Sequence, residues 1–157
     1  MQLYQSLHDR LKNQHEAIEN IVSGLDETTL TLRQEPDKWS IHDNITHLAK
    51  YQPIFVGRIN AILHVIDPVF NAYRAEYDPE FETWREWSTT KLLEALKSDR
   101  QQMYKLVTEL TESELDRVGI HKKWGKLNIV QWTEFFTLHE AHHIYTIFQL
   151  AHNTPVK

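Results

Sequence analysis

The chain contains no cysteine and only four glycines in 157 residues. The missing thiols exclude disulfides, thiolate metal ligands and a cysteine nucleophile. The shortage of glycine leaves no Gly-rich loop, and there is no low-complexity run or internal repeat. No stretch approaches the ~18 uninterrupted apolar residues of a membrane span. The first residues, Met1 to Arg10, lack the basic region and apolar run of a signal peptide. The expectation is therefore a chain without a membrane segment, resident in the cytoplasm. Positive charge is not in excess either. Seventeen Lys and Arg stand against 22 Asp and Glu, a formal net charge of −5, which argues against a large nucleic-acid-binding surface. One local basic cluster, His121-Lys122-Lys123 with Lys126, reads as a solvated loop.

What is present fits one domain spanning residues 1–157. Apolar residues make up 41% and charged residues 25%, ordinary for a globular protein able to bury its own core. Ten histidines and five tryptophans point to a filled core or an aromatic-lined cleft.

Helical periodicity dominates. Leu3, Leu7, Leu11, Ile18, Ile21 and Val22 form one stripe, predicting a helix from about Leu3 to Ser23 with Gly24 as its stop. A polar connection follows. Ser40 and Asp43 form a capping box for a second helix carrying Ile41, Ile45, Leu48, Phe55, Ile59, Ile62 and Ile66. Pro53 lies inside it, where a missing N–H should kink or split the helix. Asp67 to Trp87 read as a long crossover. Ser88 caps a third helix bearing Leu92, Leu96, Met103, Leu106, Val107 and Leu110. Thr111 and Glu114 form a second capping box. Asn128, with Gln131 three residues on, starts a fourth helix reaching about Ala151. Four amphipathic helices without a strand pattern predict an all-α four-helix bundle, a fold that places metal and cofactor sites between its helices.

The last helix carries His139-Glu140-Ala-His142-His143. Residues four apart lie on one helical face, so His139 and His143 can reach one metal ion. They occupy seam positions between Phe136 and Ile147, where leucine is expected. Burying an imidazole is costly unless its nitrogens find partners. A shared metal supplies one, and satisfied core histidines are the alternative that spacing alone leaves open. The run also matches the His-Glu-x-x-His motif of zinc peptidases, with Glu140 as general base. Those enzymes take a third ligand downstream, yet Thr146 and Gln149 stand at the extended motif's Gly and His positions. The third ligand must then come from upstream. His47, on the edge of the second helix's apolar stripe, is the best candidate. Asp43, one turn earlier, could orient it or serve only as the capping acid. His142 falls on a flanking stripe. His8 and His15 sit in polar surroundings.

Lys38-Trp39-Ser40-Ile41 followed by His47-Leu48, and Gly125-x-Leu127 followed by an aromatic-rich helix with His139-x-x-x-His143, resemble the two motifs of the DinB/YfiT-like superfamily. The resemblance covers almost the whole chain in element order. It implies up-down-down-up topology with the long crossover between helices 2 and 3. It also implies a divalent metal, nickel or zinc, on His47, His139 and His143. Family members are commonly homodimers. Those with known activity include transferases and isomerases that use low-molecular-weight thiols, and others are described as metal-dependent hydrolases. The expected function is thus a metal-dependent enzyme in which the three-histidine site activates a thiol (S-transferase) or water (hydrolase) toward a small-molecule substrate. The competing expectation is a non-catalytic metal-binding or stress-response module on the same bundle.

Overall fold

Apolar stripes at helical spacing need a partner surface, and four of them bury one another here. The computed structural model describes residues 2–152. In chain order the elements are α1 (Gln5–Asn13), α2 (Glu16–Val22), α3 (Glu27–Thr31), α4 (Ile41–His64), β1 (Val69–Phe70), α5 (Phe81–Arg85), α6 (Thr89–Thr108), α7 (Glu112–Leu115), β2 (Val118–His121), β3 (Gly125–Asn128) and α8 (Ile129–Ala151). The bundle consists of α1–α2, α4, α6 and α8. The caps read from sequence are all in place. Ser40–Asp43, Thr111–Glu114 and Asn128–Gln131 are reciprocal capping boxes, and Ser88 accepts from Lys91 N–H.

Side-chain pairings give the helix directions. His42 meets Thr89 and Gln52 meets Arg100, so α4 and α6 run parallel. Asn44 meets His143, Tyr51 lies against His139 and Phe55 against Phe136, so positions rising along α4 meet positions falling along α8. Helices α4 and α8 are therefore antiparallel. Arg10 binds Glu134 and Gln14 binds Glu140, so α1 runs with α8. The order is up, down, down, up, and two parallel neighbours require the long crossover between them.

Three local expectations are corrected. The first helix is broken at Gln14-His15. There Arg100 reaches in from α6 and donates to the Leu11 carbonyl at 3.2 Å, the kind of side-chain insertion that interrupts a helical ladder. Helix α4 is not split at Pro53. The proline ring faces solvent, and the helix runs through it from Ile41 to His64. The stretch read as loop between Gly119 and Leu127 is a hairpin. It belongs to a small sheet in which β1 pairs parallel to β2 and β2 antiparallel to β3. Strands of two and four residues are too short to show alternation in a sequence.

The core has two apolar clusters. Leu7, Leu11, Phe55, Ile59, Met103, Trp132 and Phe136 belong to one, and Ile18, Ile45, Leu48, Leu92, Leu96 and Ile147 to the other. Polar groups occupy the middle of the bundle: Gln52, Arg100 and Glu140 are all buried, and Gln14 donates to Glu140 Oε2 at 2.9 Å. The paired histidines of α8 lie at this same level of the helix.

Candidate metal centre

Antiparallel packing of α4 on α8 brings His47 against His139 and His143. One ring nitrogen from each lies within 4.8 Å of the other two. The His47 and His139 Nε2 atoms are 3.1 Å apart. Two imidazole nitrogens bound ~2.0–2.1 Å from one tetrahedral ion would be roughly 3.3 Å apart, so this pair fits a shared cation. Among the described residues, no carboxylate joins the grouping.

Burial keeps these rings neutral. It pushes His47 down to about 3, His139 to about 4 and His143 to about 2, with neighbouring positive charge adding to the effect. Neutral imidazole is the metal-binding form. Asn44, one turn before His47 on α4, places its Oδ1 2.8 Å from His143 Nδ1. An amide oxygen only accepts, so the His143 proton sits on Nδ1 and Nε2 keeps its lone pair. His47 and His139 have no such support, because their buried Nδ1 atoms lack hydrogen-bond partners. Their rings are fixed by packing instead. His47 lies 5.1 Å from Trp39 and 5.4 Å from Tyr73, and His139 lies 4.7 Å from Tyr51.

The trio opens onto a cavity of about 450 Å³ walled by Trp39, Tyr73 and Tyr77, with Glu76 also in its lining. Tyr73 donates to Asp78 at 2.8 Å. Burial and that carboxylate raise its pKa, so the phenol stays protonated.

Residues 10–147 match the family model of the DinB superfamily. The chain belongs to the DinB superfamily. No curated protein matches it. Among solved structures it is similar to YfiT from Bacillus subtilis, described as a probable metal-dependent hydrolase with an unusual four-helix bundle topology. Identity is 17%, the match covers 94% of this chain and 85% of that one, and the TM-score is 0.81.

The other candidates in this DinB-superfamily chain lie elsewhere. Glu140, next to His139 in sequence, points into the bundle and is fully buried. It forms an ion pair with Arg100 and accepts from Gln14. It is neither at the trio nor at the surface. Asp43 caps α4 and pairs with Arg33 at 2.9 Å, so the structure does not bring it to His47. Asn44, the next residue, makes the supporting contact instead. A polar amide three positions before His47, on the same helical face, was the available signal for it.

His142 is exposed, edge-on to His143. His42 bridges Thr89 and the Arg85 carbonyl. His8 meets the Tyr104 hydroxyl at 2.7 Å. Trp84 and Trp87 stack on each other, 4.5 Å apart, away from the trio's cavity, whose tryptophan is Trp39.

Proposed function

We propose that this chain is a metal-dependent enzyme in which His47, His139 and His143 hold a divalent cation facing a small-molecule substrate. The observation that supports this is the convergence of three neutral imidazoles on a cavity, with no carboxylate ligand beside them. Three histidines suit zinc or nickel, whereas magnesium and calcium prefer oxygen donors. Three protein ligands also match a catalytic site rather than a closed structural one. When bound, such an ion acts as a Lewis acid and lowers the pKa of water or a thiol toward neutrality.

The chain's own residues supply the rest. Asn44 fixes the His143 ring and tautomer. Trp39 and Tyr73 wall the cavity beside the trio. Glu76 is the carboxylate among the described residues that line the same cavity. Hydrolysis is the primary reading, and the likeness to YfiT's fold is in keeping with it. A low-molecular-weight thiol is the second candidate nucleophile, favoured by the rings of Trp39, Tyr73 and Tyr77, which make good contacts with sulfur.

Elemental analysis of untagged protein tests the site. About one zinc or nickel per chain is expected, lost in His47→Ala and His139→Ala. Unchanged metal content in both variants would overturn the assignment. Turnover of activated esters, with and without added thiol, then separates hydrolase from S-transferase. A metal-replete protein inert to both would favour a non-catalytic module.

A homodimer belongs to the same proposal. Leu138, Tyr145 and Phe148 lie exposed along the outer side of α8, an apolar stripe suited to a second copy. Light scattering should report twice the chain mass, and Tyr145→Glu should halve it.

A further inference from the structure

Beside the trio's cavity lies a second one, of about 270 Å³, and the two share Tyr73 and His139 as wall residues. Its lining contains Arg58, Lys123 and His121 but no carboxylate. Local positive character of this kind is unexpected in a chain of net charge −5.

Arg58 is the informative residue. It is only 8% exposed, yet among the described residues no carboxylate pairs with it. Its two hydrogen bonds go to neutral acceptors, the Tyr51 hydroxyl at 2.9 Å and the Asn71 carbonyl at 2.8 Å. A guanidinium has five N–H donors, so three are left over. The rings of Tyr51, Phe70 and Trp132 lie 5.6 to 5.7 Å from it. Cation–π contact offsets part of the desolvation cost but not the charge. A buried cation without a counter-ion is expensive, and buried charges are ordinarily paired. The charge here is available to an anion that arrives with a ligand.

The surroundings describe that ligand further. The His121 Nδ1 accepts from the Lys123 and Trp124 amides, both at 3.1 Å, so its ring proton sits on Nε2 as a further donor. Trp124 is 56% exposed at the rim, and Phe135 and Tyr51 complete apolar walls. Donors at the base and rings at the sides fit a flat organic anion.

We propose that the Arg58 cavity is the substrate-recognition subsite of this protein, taking the carboxylate end of a small, planar, anionic molecule. Guanidinium and carboxylate pair through two parallel hydrogen bonds. The rest of the ligand lies against Tyr73 and His139, which carries its reactive end toward the trio. The inference relies on the proposed function for that last step only. Anion binding at Arg58 stands apart from any metal.

Titration of the full-length protein with benzoate, followed by tryptophan fluorescence and calorimetry, tests the subsite. The protein is used as purified, after chelation, and as the His143→Ala variant. Saturable benzoate binding is expected in all three, with benzamide at least about tenfold weaker, since a charge-assisted bond is lost. Arg58→Met should weaken benzoate by a similar factor while leaving benzamide unchanged. Should Arg58→Met fail to fold, the benzoate-to-benzamide ratio in wild-type protein carries the test by itself. Equal affinity for the two ligands, or no binding by the wild type, overturns the proposal. So does binding that vanishes on chelation and survives Arg58→Met, which would place the carboxylate on the trio. Loss of metal in His143→Ala with benzoate binding retained would leave both readings intact. Metal retained in that variant would count against the trio and not against the subsite.

Discussion

The Glu140 carboxylate and the Arg100 guanidinium form an ion pair in the middle of the bundle, each about 1% exposed. Gln14 donates to the second Glu140 oxygen, while Gln52 and the Leu11 carbonyl accept from Arg100. The members of this layer come from α1 and its C-terminal end, α4, α6 and α8, so the pair fastens all four at one level. Removing one member leaves the other charged and buried, which typically costs 3–5 kcal/mol. Glu140→Gln should therefore lower stability by about 3 kcal/mol in urea unfolding while the protein still takes up metal. A general base would behave differently: stability would hold and turnover would collapse.

Among the described residues, Asn44 alone makes a hydrogen bond to His143. If the trio holds a cation, losing that acceptor frees the ring to rotate and to change tautomer. Partners of this kind usually contribute 10–100-fold in metal affinity. Asn44→Ala should weaken zinc binding by about that factor in a chelator competition, with the fold intact by circular dichroism. Affinity unchanged within about twofold would mean that packing alone holds His143.

The four bundle helices could be read from sequence because each has a long apolar stripe, and α4, α6 and α8 also have a side-chain cap. The trio was legible in part. His139 and His143 betray themselves by standing in a seam where leucine belongs, and His47 by its place on a stripe edge. What could not be read was rotation. Glu140 neighbours His139 in sequence, but one residue along a helix is about 100° around it, and that step carries Glu140 from the cavity side into the core. Its partner Arg100 gave no signal, since an arginine between Leu96 and Met103 reads equally well as a surface residue. Arg58 was hidden for the same reason. The sheet was missed because its strands are only two to four residues long, and β1 lies far from the β2–β3 hairpin in the chain.

Gly119 marks the place where that sheet meets the bundle. A Cβ there would lie 2.7 Å from Ile62 Cγ1 and 2.9 Å from a Phe70 ring carbon. Both neighbours are themselves packed, since Ile62 is fully buried and Phe70 meets Trp132 edge-on. Overpacking of this kind costs about 1–3 kcal/mol. Gly119→Ala should lower the melting temperature by several degrees, and Gly57→Ala, at a helical position with open space around it, should not.

His15 sits at the break between α1 and α2, 7% exposed, and its Nδ1 has no hydrogen-bond partner. Burial, with Arg100 and then Lys97 adding like charge, pushes its pKa down to about 4 from 6.5. In the unfolded chain the ring takes up its proton at the ordinary value, so between those two values the unfolded state binds more protons. Stability is then complete above about pH 6.5, declines as the pH falls through the window, and loses nothing further from this group below about 4. The full contribution is on the order of 2 kcal/mol, discounted for the solvent-facing groove beside the ring. The trio titrates over an overlapping range, so the measurement is a difference: His15→Gln against wild type, by urea unfolding at pH 7.5 and pH 5. The variant should lose less stability than wild type between the two. Parallel losses would show that His15 is solvated in the native state.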